Sequence, residues 1–331
     1  MSEARSTRPD LDGIGFGGAA IGNLYTAVDD DAAEAAVRCA FEQGIRYFDT
    51  APFYGYGLSE ERLGNALADL ADREARISTK VGRHISDASG EQQADDGFAV
   101  QGRCARYDYS RDGVLRSLES SLRRLRRQAV DTLLVHDVGR EKHGERHAVV
   151  LTQVLDETLP TLSELRSSGA CRAIGIGVNE IEVCVELLAR ADLDVILLAG
   201  RYTLLENALA LDLLAEAGRR GVEVIIGGPY NSGLLAAADR PGATYNYLAP
   251  EASVLERAQR IYDVCAAHGV DVGAAALQFP LAHPAVRSVI IGMRSTDEVR
   301  VAVERILTGI PPALWAALRD AGLIHPAAPT P

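Results

Sequence analysis

Short apolar runs alternate with longer amphipathic stretches along almost the whole 331-residue chain. The runs Gly13–Gly18, Arg46–Asp49, Arg76–Val81, Thr132–His136, Ala173–Gly177, Val195–Ala199, Val222–Gly227 and Ser288–Gly292 are nearly continuous in Val, Ile and Leu. Strands covered on both faces of a parallel sheet read this way. Between them, helical spacing predicts Asp31–Glu42, a helix capped by Ser59 with Glu60 and Glu61 in its first turn, Arg111–Arg127, Gln153–Ser168, Glu180–Arg190, Asn207–Arg220, Ser253–His268 and Thr296–Leu307. Gly44, Gly169, Gly221 and Gly269 stand where helices stop.

Strand–helix units repeated without a linker predict a closed (β/α)8 barrel in one domain. The barrel is expected over roughly residues 11–309, with 310–331 a C-terminal tail containing a helix and Trp315. A doubly wound open sheet is the runner-up, but it has fewer strands and a glycine fingerprint at its first turn. The glycines of Gly13–Gly18 make only a weak match to that fingerprint, because no acid suited to a ribose closes a second strand in the expected way. His84–Asp108, Val138–Ala148 and Leu234–Pro250 are long for connectors, follow strand C-termini, and are expected as lids over a pocket.

A net charge of −12 argues against nucleic acid or an anionic membrane surface as partner. No apolar run reaches the ~20 residues that span a bilayer, and the polar start Met1–Asp10 lacks a signal-peptide core. Cys39, Cys104, Cys171, Cys184 and Cys265 are scattered, as suits reduced thiols in a cytoplasm.

Candidate chemistry collects at three strand ends. Asp49, Lys80 and His136 close predicted strands two, three and four, and Tyr54 lies in the loop after strand two. Neighbouring barrel strands bring all four to one rim. Asp49 is the partner for a buried Lys80, whose ammonium is expected to lower the Tyr54 phenol from its ordinary pKa near ~10. His136 is placed to hydrogen-bond a substrate oxygen while Tyr54 gives or takes the proton.

Phe48–Gly64 (FDTAPFYGYGLSEERLG), Ser78–Gly82 (STKVG) and Leu133–Asp137 (LLVHD) resemble the signatures of aldo-keto reductases, and the resemblance extends over essentially the whole chain. It implies the tetrad Asp49, Tyr54, Lys80 and His136, and NAD(H) or NADP(H) bound across the barrel mouth without a metal. The stretches AIGIGVNEIEVC, LLAGRYTLLE and IIGGPYNSGLL are similar to the aldose 1-dehydrogenase branch, which includes L-fucose or D-threo-aldose, L-galactose and pyridoxal 4-dehydrogenases. That likeness implies oxidation of the anomeric hydroxyl of an L-fucose, L-galactose or D-arabinose type aldose, or of the pyridoxal hemiacetal, to a lactone. A general aldehyde or ketone reductase and a cofactor-sensing regulatory subunit are the alternatives, and a monomer or small homo-oligomer is expected.

The same resemblance places the nicotinamide carboxamide at Asn179 and the pyrophosphate at Gly228, Pro229, Tyr230, Asn231, Ser232, Gly233 and Leu234. The adenosine ribose falls at Gly292, Arg294, Ser295 and Glu298, and Gly18 and Asp49 lie beneath the cofactor. Phe53, Tyr56, His136 and Tyr202 are expected to face the substrate, with Tyr107, Tyr109, Tyr245 and Tyr247 as further aromatic candidates. Departures from the family pattern are Gly227-Gly228 in place of a stacking aromatic, Gly200-Arg201-Tyr202 in place of a Gln, and Glu298 in place of a phosphate-gripping Arg. Tyr230 is available to help hold the ring. An acid repels a 2′-phosphate, so NAD is expected over NADP. His143 and His147 have a metal-compatible spacing but fall in a charged stretch that reads as a solvated loop, and the basic run Arg123–Arg127 reads as a helix C-terminus.

Overall fold

The computed structural model describes residues 11–70, 74–87, 97–236, 244–246 and 248–331. Eight parallel strands close into a barrel: β1 (Ile14–Gly17), β2 (Tyr47–Asp49), β3 (Arg76–Val81), β6 (Val130–His136), β7 (Cys171–Val178), β8 (Val195–Ala199), β9 (Glu223–Gly227) and β10 (Val286–Gly292). Closure is direct, because β1 pairs with both β2 and β10. Two further strands, β4 (Arg83–Asp87) and β5 (Arg103–Tyr107), form an antiparallel hairpin between β3 and the helix Arg111–Leu125.

The continuous apolar runs follow from two buried layers. Tyr47, Leu134, Val195, Leu197, Ile225 and Ile290 fill the barrel interior. Residues of the opposite parity, such as Phe48, Ile77, Leu133 and Ile196, pack against the helices. Helix ends obey local chemistry. Asp29 and Ser110 accept hydrogen bonds from the first-turn amides of Ala32 and Gly113, and Gly44 and Gly221 adopt left-handed conformations at C-termini.

Several expectations change. Ser59 lies one residue inside the helix Leu58–Ala66, whose cap is Gly57, and its hydroxyl donates to the Gly18 carbonyl. The helix expected from Gln153 begins at His147, and a π turn over Val154–Thr158 carries it into Leu159–Ser167. An unexpected helix, Val272–Leu281, is apolar on all sides and largely buried, so it has no amphipathic stripe to read. The tail forms the helix Pro312–Asp320, anchored by buried Trp315 beside Phe279. The stretch Arg140–Arg146, expected as a solvated loop, is a short helix followed by a 3-10 turn. No single helix among the described residues is long and apolar enough to cross a membrane. Residues 88–96, 237–243 and 247, which fall within two of the expected lids, and the start Met1–Asp10 lie outside the described residues.

Candidate active site

Asp49, at the end of β2, faces Lys80 near the end of β3, and both are buried. Lys80 Nζ donates to Asp49 Oδ1 (3.0 Å), Asp49 Oδ2 (2.8 Å) and the Thr50 carbonyl (2.8 Å). Those bonds use all three ammonium hydrogens. Ser78 Oγ donates 2.7 Å to Asp49 Oδ1, so the carboxylate is also fixed. The lysine stem crosses the barrel over Gly177, where a Cβ would stand 3.2 Å from Lys80 Cε.

Tyr54 is positioned by backbone crowding. A Cβ at Gly55 (φ +63°) would stand 2.3 Å from the Gly22 carbonyl oxygen, so loops one and two touch backbone to backbone at a site only glycine allows. Buried Arg62 locks the contact: its guanidinium donates to the carbonyls of Ile21 and Val28 and to the side chains of Asn23 and Asp30. The Tyr54 ring lies 4.5 Å from Lys80 Nζ, edge-on to His136 (5.8 Å) and tilted on Phe98 (6.2 Å). Its hydroxyl has no hydrogen-bond partner among the described residues and is free to meet a ligand. Burial, then Asp49 and Asp137, push the phenol well above its ordinary pKa, and Arg83 only partly opposes this. The expected acidification is therefore absent from the free protein, because burial disfavours the phenolate and Asp49, which pairs the ammonium, also repels it. In this state Tyr54 is a protonated phenol.

His136 ends β6, buried, with its ring also edge-on to Phe53 at 6.1 Å. Burial drives its pKa down to about 3, with Asp137 opposing and Arg83, Lys80 and Lys142 adding to the drop, so the imidazole is neutral. Two groups absent from the sequence-based site stand beside it. Arg83, the first residue of β4, lies with its guanidinium 3.6 Å above the Phe53 ring and 4.6 Å from the Tyr107 ring, and pairs with the Asp137 carboxylate. Burial raises the Asp137 carboxyl, but His136 and Arg83 outweigh it and hold the group below its usual value.

The four expected residues thus meet at one barrel end. The aldo/keto reductase family model matches residues 13–320. The chain is an aldo/keto reductase. It is 40% identical over 325 residues to a pyridoxal 4-dehydrogenase from Microbacterium luteolum, covering 94% of each chain. It is 36% identical to a D-threo-aldose 1-dehydrogenase from a Pseudomonas species, covering 96% of this chain and 95% of the relative. The holo form of an aldo-keto reductase from Bacillus halodurans superposes with a TM-score of 0.72 at 24% identity, over 95% of this chain and 93% of that one. The protein is accordingly a nicotinamide-dependent oxidoreductase.

Around this reductase tetrad the aromatic candidates divide. Phe53 is partly exposed and forms a wall with Phe98 (5.2 Å, edge to face), a residue the sequence reading missed. Phe98 is held there by the segment 97–100, whose backbone bonds to Asn23 and Tyr25. Tyr56 is 1% exposed behind Phe53 and Phe98, and Tyr202 is fully buried against Phe279 and His283. Neither presents a surface to substrate in this structure, because each ring is enclosed by the aromatic residues around it. Tyr109 is buried too, donating to the His136 carbonyl, whereas Tyr107 is exposed on the hairpin. Tyr245 donates to Glu206, and Tyr247 lies outside the described residues. His143 and His147 contact the carbonyls of Asp137 and Val138. In the basic run, Arg124 pairs with buried Glu60 and Arg127 donates to the carbonyls of Leu67 and Leu70.

The residues present fit a nicotinamide cofactor. Asn231 Oδ1 is buried without a partner among the described residues, while its Nδ2 donates 3.2 Å to the Gly200 carbonyl. Asn231, Ser232 and Gly233 all have positive φ, and the amides of Asn231, Gly233 and Leu234 close turns within the loop. A Cβ at Gly228 or Gly292 would meet only ordinary contacts, at 3.9 Å from the Gly200 amide nitrogen and 3.6 Å from Ala20 Cβ. Gly18 differs: a Cβ there would stand 2.5 Å from Ser59 Oγ, so its glycine serves packing beneath Asp49. Asn179 follows β7 partly exposed, with no hydrogen bond among the described residues. Tyr230 bonds to Arg305 (3.3 Å), which ties the loop to the helix Thr296–Leu307. Ser295 caps that helix, and Glu298 accepts from the Arg294 amide at 2.9 Å.

Proposed function

We propose that this reductase oxidises the anomeric hydroxyl of an aldose of the L-fucose, L-galactose or D-arabinose type to the lactone. Asn179, the Gly228–Leu234 loop and the segment Gly292–Glu298 would hold NAD(P)+, which supplies the hydride acceptor when bound. The hemiacetal C1–H bond breaks with its electron pair, the C1–O bond becomes a carbonyl, and the hydroxyl proton passes to Oη of Tyr54 in its phenolate form, the phenol having first released its own proton to solvent. His136 orients the reacting oxygen, and the Lys80–Asp49 pair holds the ammonium beside the Tyr54 ring.

The observation that carries this reading is the convergence of Asp49, Tyr54, Lys80 and His136, with the free Tyr54 hydroxyl at its centre. Glu298 supports NAD over NADP, since the family resemblance puts an acid there in place of a phosphate-gripping Arg, and Arg294 beside it (3.4 Å) is already paired with it. Five unbridged cysteines support a reducing compartment such as the cytoplasm. The test is NAD+ and NADP+ reduction over a panel of aldoses plus pyridoxal. Stoichiometric cofactor binding with no turnover on any of them would sink the proposal and favour a sensing subunit.

A second reading is oxidation of the pyridoxal hemiacetal. The aromatic wall of Phe53 and Phe98 favours a planar ring, and it accords with the 40% likeness to a pyridoxal dehydrogenase. A kcat/KM for pyridoxal above that for every aldose would select it.

A further inference from the structure

The pair Arg83–Asp137 has no part in the tetrad, yet it lies against it. Successive strand side chains point to opposite faces, so Asp137 would normally turn away from His136. Its backbone instead adopts φ 51°, a conformation uncommon for any residue but glycine. That turn is held by the Asp137 amide bonded to the Gly177 carbonyl, and by the Asp137 carbonyl accepting from Tyr109 Oη and contacting His143 Nε2. The carboxylate swings back until Oδ2 lies 3.7 Å from His136 Nε2. This is too long for a hydrogen bond, so the carboxylate biases the ring nitrogen without consuming its hydrogen.

The two nitrogens of a neutral imidazole differ. Nδ1 of His136 is buried with no partner among the described residues. A hydrogen on Nδ1 would leave a buried donor unmet and set the Nε2 lone pair against a carboxylate. A hydrogen on Nε2 faces that carboxylate favourably. Arg83 keeps Asp137 charged, and the Phe53 and Tyr107 faces hold the guanidinium flat. Among the described residues, the other titratable or charged groups near the ring are the phenol of Tyr54, the ammonium of Lys80, already saturated by Asp49 and Thr50, and Lys142.

We propose that Asp137, held ionised by Arg83, is a positioning residue that selects the Nε2–H tautomer of His136, making the ring a donor to the substrate oxygen. This rests on the reading of His136 as the partner of that oxygen. Its use is directional: the donor stabilises negative charge on oxygen as the proton moves to or from Tyr54.

The experiment is long-range proton–nitrogen NMR of the full chain labelled with 15N-histidine, with His136 assigned among seven histidines by its loss in His136→Asn. Wild type is expected to show protonated Nε2 and bare Nδ1, unchanged from pH 5.5 to 8.5. Asp137→Asn is expected to populate the Nδ1–H form and lower kcat about tenfold or more, with little change in cofactor affinity by fluorescence titration. In a His136→Asn background, Asp137→Asn is expected to cost nothing further. A wild-type ring protonated on Nδ1 overturns the proposal, and so does a variant in which tautomer and kcat do not change together. If Asp137→Asn does not fold, the wild-type spectrum and Arg83→Gln decide. Full activity in His136→Asn alone would remove the role given to His136 and leave the tautomer assignment standing.

Discussion

Replacing Asp49 by Asn isolates the electrostatics of the tetrad. The substitution keeps size and the Ser78 contact but leaves the buried Lys80 ammonium without a counter-charge. At 2.8 Å, an effective dielectric of about 20 gives roughly 6 kcal/mol of attraction. The surviving Thr50 carbonyl and the new amide oxygen offset part of it, and broken buried pairs commonly cost about 3–5 kcal/mol. A loss of that size is expected in urea unfolding followed by circular dichroism and by the fluorescence of Trp315, the one tryptophan of the chain. Turnover should fall with it, because the lysine loses the anchor that sets it beside Tyr54. Adding Lys80→Met removes the second charge, so the double variant should be more stable than the sum of the two single losses by at least about 2 kcal/mol. An Asp49→Asn protein within 1 kcal/mol of wild type (roughly the span of a surface pair) would refute the reasoning, since the carboxylate would then not be what holds the ammonium.

Tyr54→Phe should lower kcat by orders of magnitude while leaving the cofactor Kd, read by fluorescence quenching, nearly unchanged. Because the phenol sits above its ordinary pKa, oxidation is expected to accelerate about tenfold per pH unit through the alkaline range as the phenolate fraction grows. The His136 ring, with a pKa near 3, should add no break between pH 5 and 8, and a kcat/KM profile with a break near 6.5 would contradict this. Glu298→Ala should lower KM for NADP+ about fivefold and barely change that for NAD+, as removal of roughly 1 kcal/mol of repulsion implies. Arg62→Ala orphans the carbonyls of Ile21 and Val28 and should cost about 3 kcal/mol in thermal or urea unfolding.

What could be read in advance follows from periodicity. Strands such as Arg76–Val81 and Val195–Ala199 carry an apolar run with sharp ends, and the structure keeps both bounds unchanged. The helix Val272–Leu281 escaped because a helix buried all round has no contrasting face. The tetrad was legible because strand order alone brings Asp49, Lys80 and His136 to adjacent strand ends. Asp137 was not, because alternation points it away and only its left-handed backbone turns it back. Arg83 reads as the first polar residue of a loop, and Phe98 as a lone ring in a polar stretch. Tyr202 misled in the opposite way: an aromatic just past a strand end looks like a rim residue, but its ring dips to Phe279. The protonation of Tyr54 needed coordinates, since the sequence pairs Asp49 with Lys80 but does not show how far burial disfavours the phenolate.

Gly82 is the sole link between the strand carrying Lys80 and the hairpin that begins at Arg83. Its φ is 102°, and the Tyr109 ring fills the place a Cβ would take, 2.4 Å away. The ring packs the hairpin base directly against the strand that carries the lysine. Exchanging the hairpin as a cassette to admit other molecules should therefore succeed only where the joint glycine and its tyrosine backstop are kept.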